Sequence, residues 1–280
     1  MPGRTCKVAV LDDYQRVAEA YADWSLLRPE AEVTFFHDHL SKPGEIAERL
    51  APFDVVCAMR ERTPFDAVML ASLPALKLLV TTGAANASID MEAAQECGVT
   101  VCGTGGVATA TPELAWALIL AALRHLPGEA AAVRAGGWQE HVGIGLHGKT
   151  LGLLGLGRIG SRVARVGQAF GMRTVAWSQN LTAEKAVEHG VQRLDKAELL
   201  ASADVLTIHL KLSERTRGLV GAADLALMKP TAWLVNTSRG PIVDETALIE
   251  ALRAGSIAGA ALDVFDIEPL PPEHPFRSLG

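Results

Sequence analysis

Short apolar runs recur along the chain, separated by stretches whose apolar positions fall at helical spacing. Lys7–Asp13, Glu32–Asp38, Asp54–Met59, Leu76–Thr82 and Val99–Cys102 end at polar or Gly positions and predict strands. Between them, Gln15–Trp24, Pro43–Leu50, Phe65–Ala71 and Asp90–Cys97 predict helices. Strands covered by helices on both faces run parallel, so this first block reads as an open α/β sheet of its own. Pro112–Leu126 predicts an amphipathic helix leading into a second block, with Thr111 as cap and Pro112 in the first turn. Pro127 to Gly145 is Gly- and Ala-rich around Trp138 and reads as an exposed arm or a partner surface.

At Lys149 a second βαβ rhythm begins. Thr150–Leu154, Thr174–Trp177, Val205–His209, Ala232–Asn236 and Ala258–Asp263 predict strands. Ile159–Phe170, Ala183–His189, Lys196–Ala201, Ala222–Leu227 and Glu245–Ala254 predict helices. No tandem repeat links the blocks. A chain of 280 residues exceeds the usual ~100–200 for one domain, so two α/β domains with parallel sheets are expected.

Composition narrows the function classes. A net charge of -6 argues against nucleic acid as the main partner. No apolar run of ~18 residues is free of breakers, which argues against a membrane span. The N-terminus enters a strand-like run with no apolar leader, and a cytoplasmic protein is expected. Cys6, Cys57, Cys97 and Cys102 form no metal-binding spacing and read as reduced, mostly buried thiols. His37 and His39 lack further ligands, so no metal is expected.

The sharpest local chemistry is Gly155-Leu156-Gly157-Arg158-Ile159-Gly160, placed after a strand and opening a helix. In that setting the first Gly permits a tight turn, the second lets the backbone approach a pyrophosphate, and the third lets helix pack on strand. A carboxylate for the ribose 2′-OH belongs at the end of the second strand, yet the chain there reads Ser178-Gln179-Asn180. A neutral edge removes repulsion against a 2′-phosphate, and the reading leans to NADP(H) within NAD(P). No arginine beside it decides the matter, and Ser178 also reads as a plain turn residue.

Three further segments complete a pattern: LTIHLKLSERTRGLV at Leu206–Val220, LVNTSRGPIVD at Leu234–Asp244 and GAALDVFDIEP at Gly259–Pro269. With HGKTLGLLGLGRIG at His147–Gly160, they resemble the nucleotide-binding domain of the D-isomer-specific 2-hydroxyacid dehydrogenases. The resemblance runs in order from about Thr81 onward and is looser before it. It implies a flavodoxin-like substrate domain over residues 1–103 and a Rossmann NAD(P)-binding domain over 104–280. It implies hydride transfer between NAD(P)H and a 2-oxo acid or D-2-hydroxy acid. By the same resemblance Arg239 binds substrate and Glu268 is the carboxylate that pairs with a proton-donor histidine. Asp263 is expected to meet the nicotinamide carboxamide, with His209 and Thr237 as further cofactor contacts. Backbone N–H groups of Gly83, Ala84 and Ala85 are expected to hold the substrate carboxylate. Arg60 faces the same substrate or is a surface arginine. Many relatives are dimers through the nucleotide domain, which implies a homodimer contacting through Ala115–Trp138.

One feature departs from the family. The proton-donor histidine is expected in a T-P-H segment ~20 residues past Glu268, and the sequence reaches Gly280 first. His274 lies too early and reads as part of a structural turn. A truncated sequence lacking the last strand and return helix is the favoured expectation. A naturally short homologue and a histidine from another chain are alternatives. An NAD(P)-binding regulatory or non-catalytic homologue is the alternative function.

Overall fold

The computed structural model describes residues 4–279. The reading of the first residues as leaderless starts at Met1–Gly3, which lie outside the described residues, as does Gly280. The chain divides into two compact units, Met1–Gly106 and Val107–Gly280. The first unit holds β1 (Cys6–Val10), β2 (Ala31–Phe35), β3 (Val55–Ala58), β4 (Leu78–Thr81) and β5 (Thr100–Gly103), all parallel, in the order β2-β1-β3-β4-β5. That is the flavodoxin-like order, in which the chain changes direction between β1 and β3. Its core is built from Ala9, Val56 and Leu79 on the strands against Ile46, Leu50, Met69 and Leu70 on the helices.

The second unit holds β6 (Thr150–Leu154), β7 (Arg173–Trp177), β8 (Gln192–Arg193), β9 (Val205–Ile208), β10 (Trp233–Asn236) and β11 (Gly259–Leu262). All pair in parallel, in the order β11-β10-β9-β6-β7-β8. This is the Rossmann order, with its reversal between β6 and β9. β6 and β9 are buried along their whole length, as two-sided helix cover demands. Side chains alternate between two cores: Leu151 and Leu153 meet Val163, Ala164 and Trp116, while Leu154, Leu206 and Ile208 meet Leu199, Leu234 and Leu248.

Each sheet is tied at its amino-terminal edge by one aspartate. Asp54, before β3, accepts from the Lys7 N–H at 3.0 Å, Arg4 at 2.7 Å and Lys77 at 3.1 Å. Asp204, before β9, accepts from the Thr150 N–H at 2.7 Å and Lys229 at 2.9 Å. Both carboxyls are held below the usual carboxylate range. For Asp54 the Lys7 N–H is the largest cause, while for Asp204 burial opposes the shift and the Thr150 N–H and Lys229 outweigh it.

Several expectations change. The helix expected over Gln15–Trp24 is only Ala18–Tyr21, followed by a 3-10 turn at Trp24–Leu27. The Asp13 carboxylate takes the Val17 N–H at 2.9 Å and starts the helix late, and Asp23 caps the turn through Ser25. The connecting helix is Ala110–Leu123, so Thr111 is inside it and caps nothing. It is apolar nearly all round: Pro112, Ala115, Trp116, Ile119 and Leu123 are buried, and Leu114 is exposed. Leu126–Arg134 is a further helix, and the segment after it leaves Trp138 and Val142 exposed. β8 went unpredicted because two exposed polar residues carry no pattern. The thiols are not mostly buried: Cys6 and Cys57 are half-buried, and Cys97 and Cys102 are exposed. Cys97 closes a helix before a glycine turn, and Cys102 lies on the edge strand β5.

Candidate active site

The turn after β6 is shaped by contact. Gly155 has φ +101°, a conformation side chains resist, and its N–H donates to the Trp177 carbonyl at 2.8 Å. A Cβ on Gly160 would stand 2.1 Å from the Gly155 carbonyl oxygen, so only glycine lets helix Gly160–Ala169 start there. Gly157, in contrast, faces open space, with nothing within 4 Å of a Cβ. The N–H groups of Gly157, Arg158, Ile159 and Gly160 donate no hydrogen bond within the described chain. Free amides, open space and a helix amino terminus make an anion cradle, and the residues present fit a dinucleotide pyrophosphate.

His209 follows β9 beside this turn, its carbonyl oxygen 2.6 Å from where a Gly155 Cβ would be. Its Nε2 pairs with the Thr207 hydroxyl at 3.0 Å, while its Nδ1 is buried without a partner. Burial lowers its pKa to about 4, so the ring is neutral at physiological pH. The Thr237 hydroxyl is likewise buried and unpartnered. At the end of β7, Ser178 is half-buried and Gln179 and Asn180 are exposed.

After β10 the chain makes a side-chain-built turn. Asn236 accepts the Ser238 N–H at 3.0 Å and donates to the Arg239 carbonyl at 2.9 Å. The Ser238 hydroxyl donates to the Ile208 carbonyl at 2.8 Å, joining this turn to the end of β9. Arg239 is half-buried, and its Nη1 donates to the Ser238 carbonyl at 2.7 Å. Gly240 is buried, and a Cβ there would lie 2.1 Å from the Phe265 carbonyl carbon. The loop after β11 therefore lies directly on the Arg239 loop. In it Glu268 is half-buried and accepts the Phe265 N–H at 3.2 Å, while Asp263 is exposed. The sequence singled out Arg239 and Glu268, but Asn236, Ser238 and Gly240, which position them, carry no signal except the N-T-S-R-G string itself. His274 is committed elsewhere: Nε2 pairs with Glu245 at 3.0 Å, and Nδ1 accepts the Phe276 N–H at 3.3 Å.

In the first unit, the loop after β4 departs from expectation at one residue. The Gly83 N–H already donates to the Thr104 hydroxyl at 2.8 Å, so it is not open to a ligand. The Ala84 and Ala85 N–H groups take no partner within the described chain. Asn86 ties this loop to the one after β3, donating to the Arg60 carbonyl and, at 3.0 Å, to Thr81. Arg60 has φ +55°, and its guanidinium makes no hydrogen bond or ion pair within the described chain. His37 and His39 turn to different partners, the Asp13 backbone carbonyl at 3.0 Å and the Asp12 carboxylate at 2.9 Å. Among the described residues, no group of three or more His, Cys, Asp or Glu is placed to hold a metal ion.

The family described as D-isomer specific 2-hydroxyacid dehydrogenase, NAD binding domain, matches residues 116–280. The chain belongs to the D-isomer-specific 2-hydroxyacid dehydrogenases. A glyoxylate reductase of Aeropyrum pernix is 47% identical over 224 residues, which cover 76% of this chain and 67% of that protein. A D-3-phosphoglycerate dehydrogenase of Archaeoglobus fulgidus is 38% identical over 238 residues, covering 84% of this chain and 45% of that protein. The crystal structure of a phosphoglycerate oxidoreductase from Vibrio cholerae O395 superposes with a TM-score of 0.92 at 43% identity, covering 98% of this chain and 89% of that one. As a D-2-hydroxyacid dehydrogenase the protein is an NAD(P)-dependent oxidoreductase that moves hydride between the cofactor and a 2-oxo or 2-hydroxy acid. No helix among the described residues of this dehydrogenase is long and apolar enough to cross a membrane.

Proposed function

We propose that the protein reduces a short 2-oxo acid, glyoxylate or hydroxypyruvate, with NADPH in preference to NADH. The observation that carries the site assignment is the contact at Gly240, which lays the Arg239 loop on the Glu268 loop. A planar guanidinium grips a carboxylate and the adjacent keto oxygen together, and Arg239 takes that role. Glu268 is the carboxylate that would pair with a proton-donor histidine and raise its pKa, and that histidine is not among the 280 residues of this sequence. Neither His209 nor His274 supplies that proton, the first being buried and neutral and the second engaged at both nitrogens. The Ala84 and Ala85 amides, with Arg60, hold the substrate carboxylate in the first unit.

A bound nicotinamide would supply the hydride to the carbonyl carbon, with the proton for the oxygen coming from the histidine that Glu268 would pair with. The chain's own work is orientation. The free amides of Gly157, Arg158 and Ile159 hold the pyrophosphate, and Asp263 and Thr237 fix the nicotinamide end. Ser178, Gln179 and Asn180 meet the adenosine ribose, their neutrality favouring NADP(H). Residues 1–103 serve as substrate domain and 104–280 as dinucleotide domain. Exposed Leu126, Val133, Trp138 and Val142 form the contact of a homodimer in a reducing cytoplasm, where four free thiols persist. A solution mass of a single chain at micromolar concentration removes the dimer from this reading.

Isotope transfer tests the reaction. Incubation with nicotinamide-4-deuterated NADPH and glyoxylate is expected to give glycolate labelled at C2, detected by mass spectrometry even at slow turnover. Arg239→Ala should lower labelling by about a hundredfold or more. Unlabelled product, or none with any short 2-oxo acid, overturns the assignment.

A further inference from the structure

We propose that Lys211 and Arg215 select NADP(H) by gripping its 2′-phosphate, an inference resting on the NADPH preference proposed above. A groove of about 220 Å³ lies at the carboxyl ends of β7 and β9. Ser178, Gln179 and Asn180 line one side of it, and Lys211, Arg215 and Thr216 line the other. It adjoins the glycine turn, because Leu210, which also lines it, comes within 3.1 Å of where a Gly155 Cβ would stand. A dinucleotide lying over that turn thus brings its adenosine ribose to this groove.

The electrostatics suit a doubly charged phosphate monoester. No carboxylate lines the groove. Lys211 and Arg215 are exposed, and neither side chain has a hydrogen bond or ion pair within the described chain. Two other cations of this unit are committed: Lys196 pairs with Asp224 at 2.8 Å and Arg193 with Asp195 at 3.6 Å. The segment carrying the two cations is closed on itself. The Thr216 hydroxyl donates to the Lys211 carbonyl at 2.7 Å and accepts the Ser213 N–H at 2.8 Å. Both charges are thereby presented from one pinned turn opposite a neutral Ser-Gln-Asn edge. An arginine on the β7 edge is unnecessary when the loop after β9 delivers the charge. Two phosphate oxygens can bond the Arg215 fork while the Lys211 ammonium and the Ser178 hydroxyl take the third.

The test is calorimetric titration of the full chain with NADPH, NADH, adenosine 2′,5′-diphosphate and AMP. Wild type, Lys211→Ala, Arg215→Ala and the double variant are compared. Wild type is expected to favour NADPH over NADH and the 2′,5′-diphosphate over AMP. Each single substitution should weaken the phosphorylated ligands on the order of five- to tenfold at low salt, with the double near fiftyfold, discounted for exposure. NADH and AMP should change less than about twofold, which also reports an intact fold, and the NADPH preference should shrink as salt rises. A double variant that keeps the wild-type NADPH preference overturns the inference and leaves the NADPH reading standing. A wild type that binds NADH as well as NADPH overturns both, while leaving the dehydrogenase assignment in place.

Discussion

His209 carries a titration that the fold has changed. Burial takes its pKa from 6.5 to about 4, so the folded chain resists a proton that the unfolded chain accepts first. Its contribution to stability is complete above about pH 6.5 and is lost progressively as pH falls toward 4. Unfolding free energy measured against pH should therefore fall over that window in wild type relative to His209→Leu, by at most about 3 kcal/mol. Parallel curves for the two proteins would contradict it. At this scale the sequence is legible where chemistry is local. Gly155, Gly157 and Gly160 announce a turn within six positions, and the structure gives Gly155 and Gly160 different steric reasons while leaving open space at Gly157. The spent Gly83 N–H is not legible, because its acceptor Thr104 arrives from the far end of β5.

At the scale of elements, the fold was readable because its strands are either fully buried or bounded by turn residues. Burial on both sides makes β6 and β9 continuous apolar runs, and these are the runs the periodicity picks out. The misses are elements held by tertiary contact: the short β8, and an N-terminal helix delayed by the Asp13 carboxylate. The contact between the loops after β10 and β11 belongs to the same class. Gly240 looks like one more loop glycine in the sequence, yet a side chain there would run into the Phe265 backbone. Gly240→Ala should cost about 2–4 kcal/mol of stability in denaturant and lower turnover roughly tenfold by separating Arg239 from Glu268. Wild-type midpoint and turnover would show that the two loops do not depend on that approach. The Lys211–Arg215 turn was also invisible as a binding feature, since only the β7–β6–β9 order brings it opposite Ser178.

At the scale of the whole molecule, each of the two units carries its candidate groups at the carboxyl ends of its strands. In the first they follow β3 and β4, and in the second they follow β6, β7, β9, β10 and β11. Open parallel sheets place ligands there because strand direction and helix dipoles converge at the reversal of strand order. The account depends most on a dinucleotide occupying the turn after β6. Gly157→Glu tests this, because a Cβ there meets nothing within 4 Å and a carboxylate beside the free amides would repel the pyrophosphate. The decisive measurement is titration of NADPH and NADH into wild type and Gly157→Glu, with thermal unfolding of both. Saturable binding by wild type, weakened by about a hundredfold or more in a variant that melts at the same temperature, is the predicted result. Equal affinity in the two proteins, or no binding by folded wild type, would contradict it.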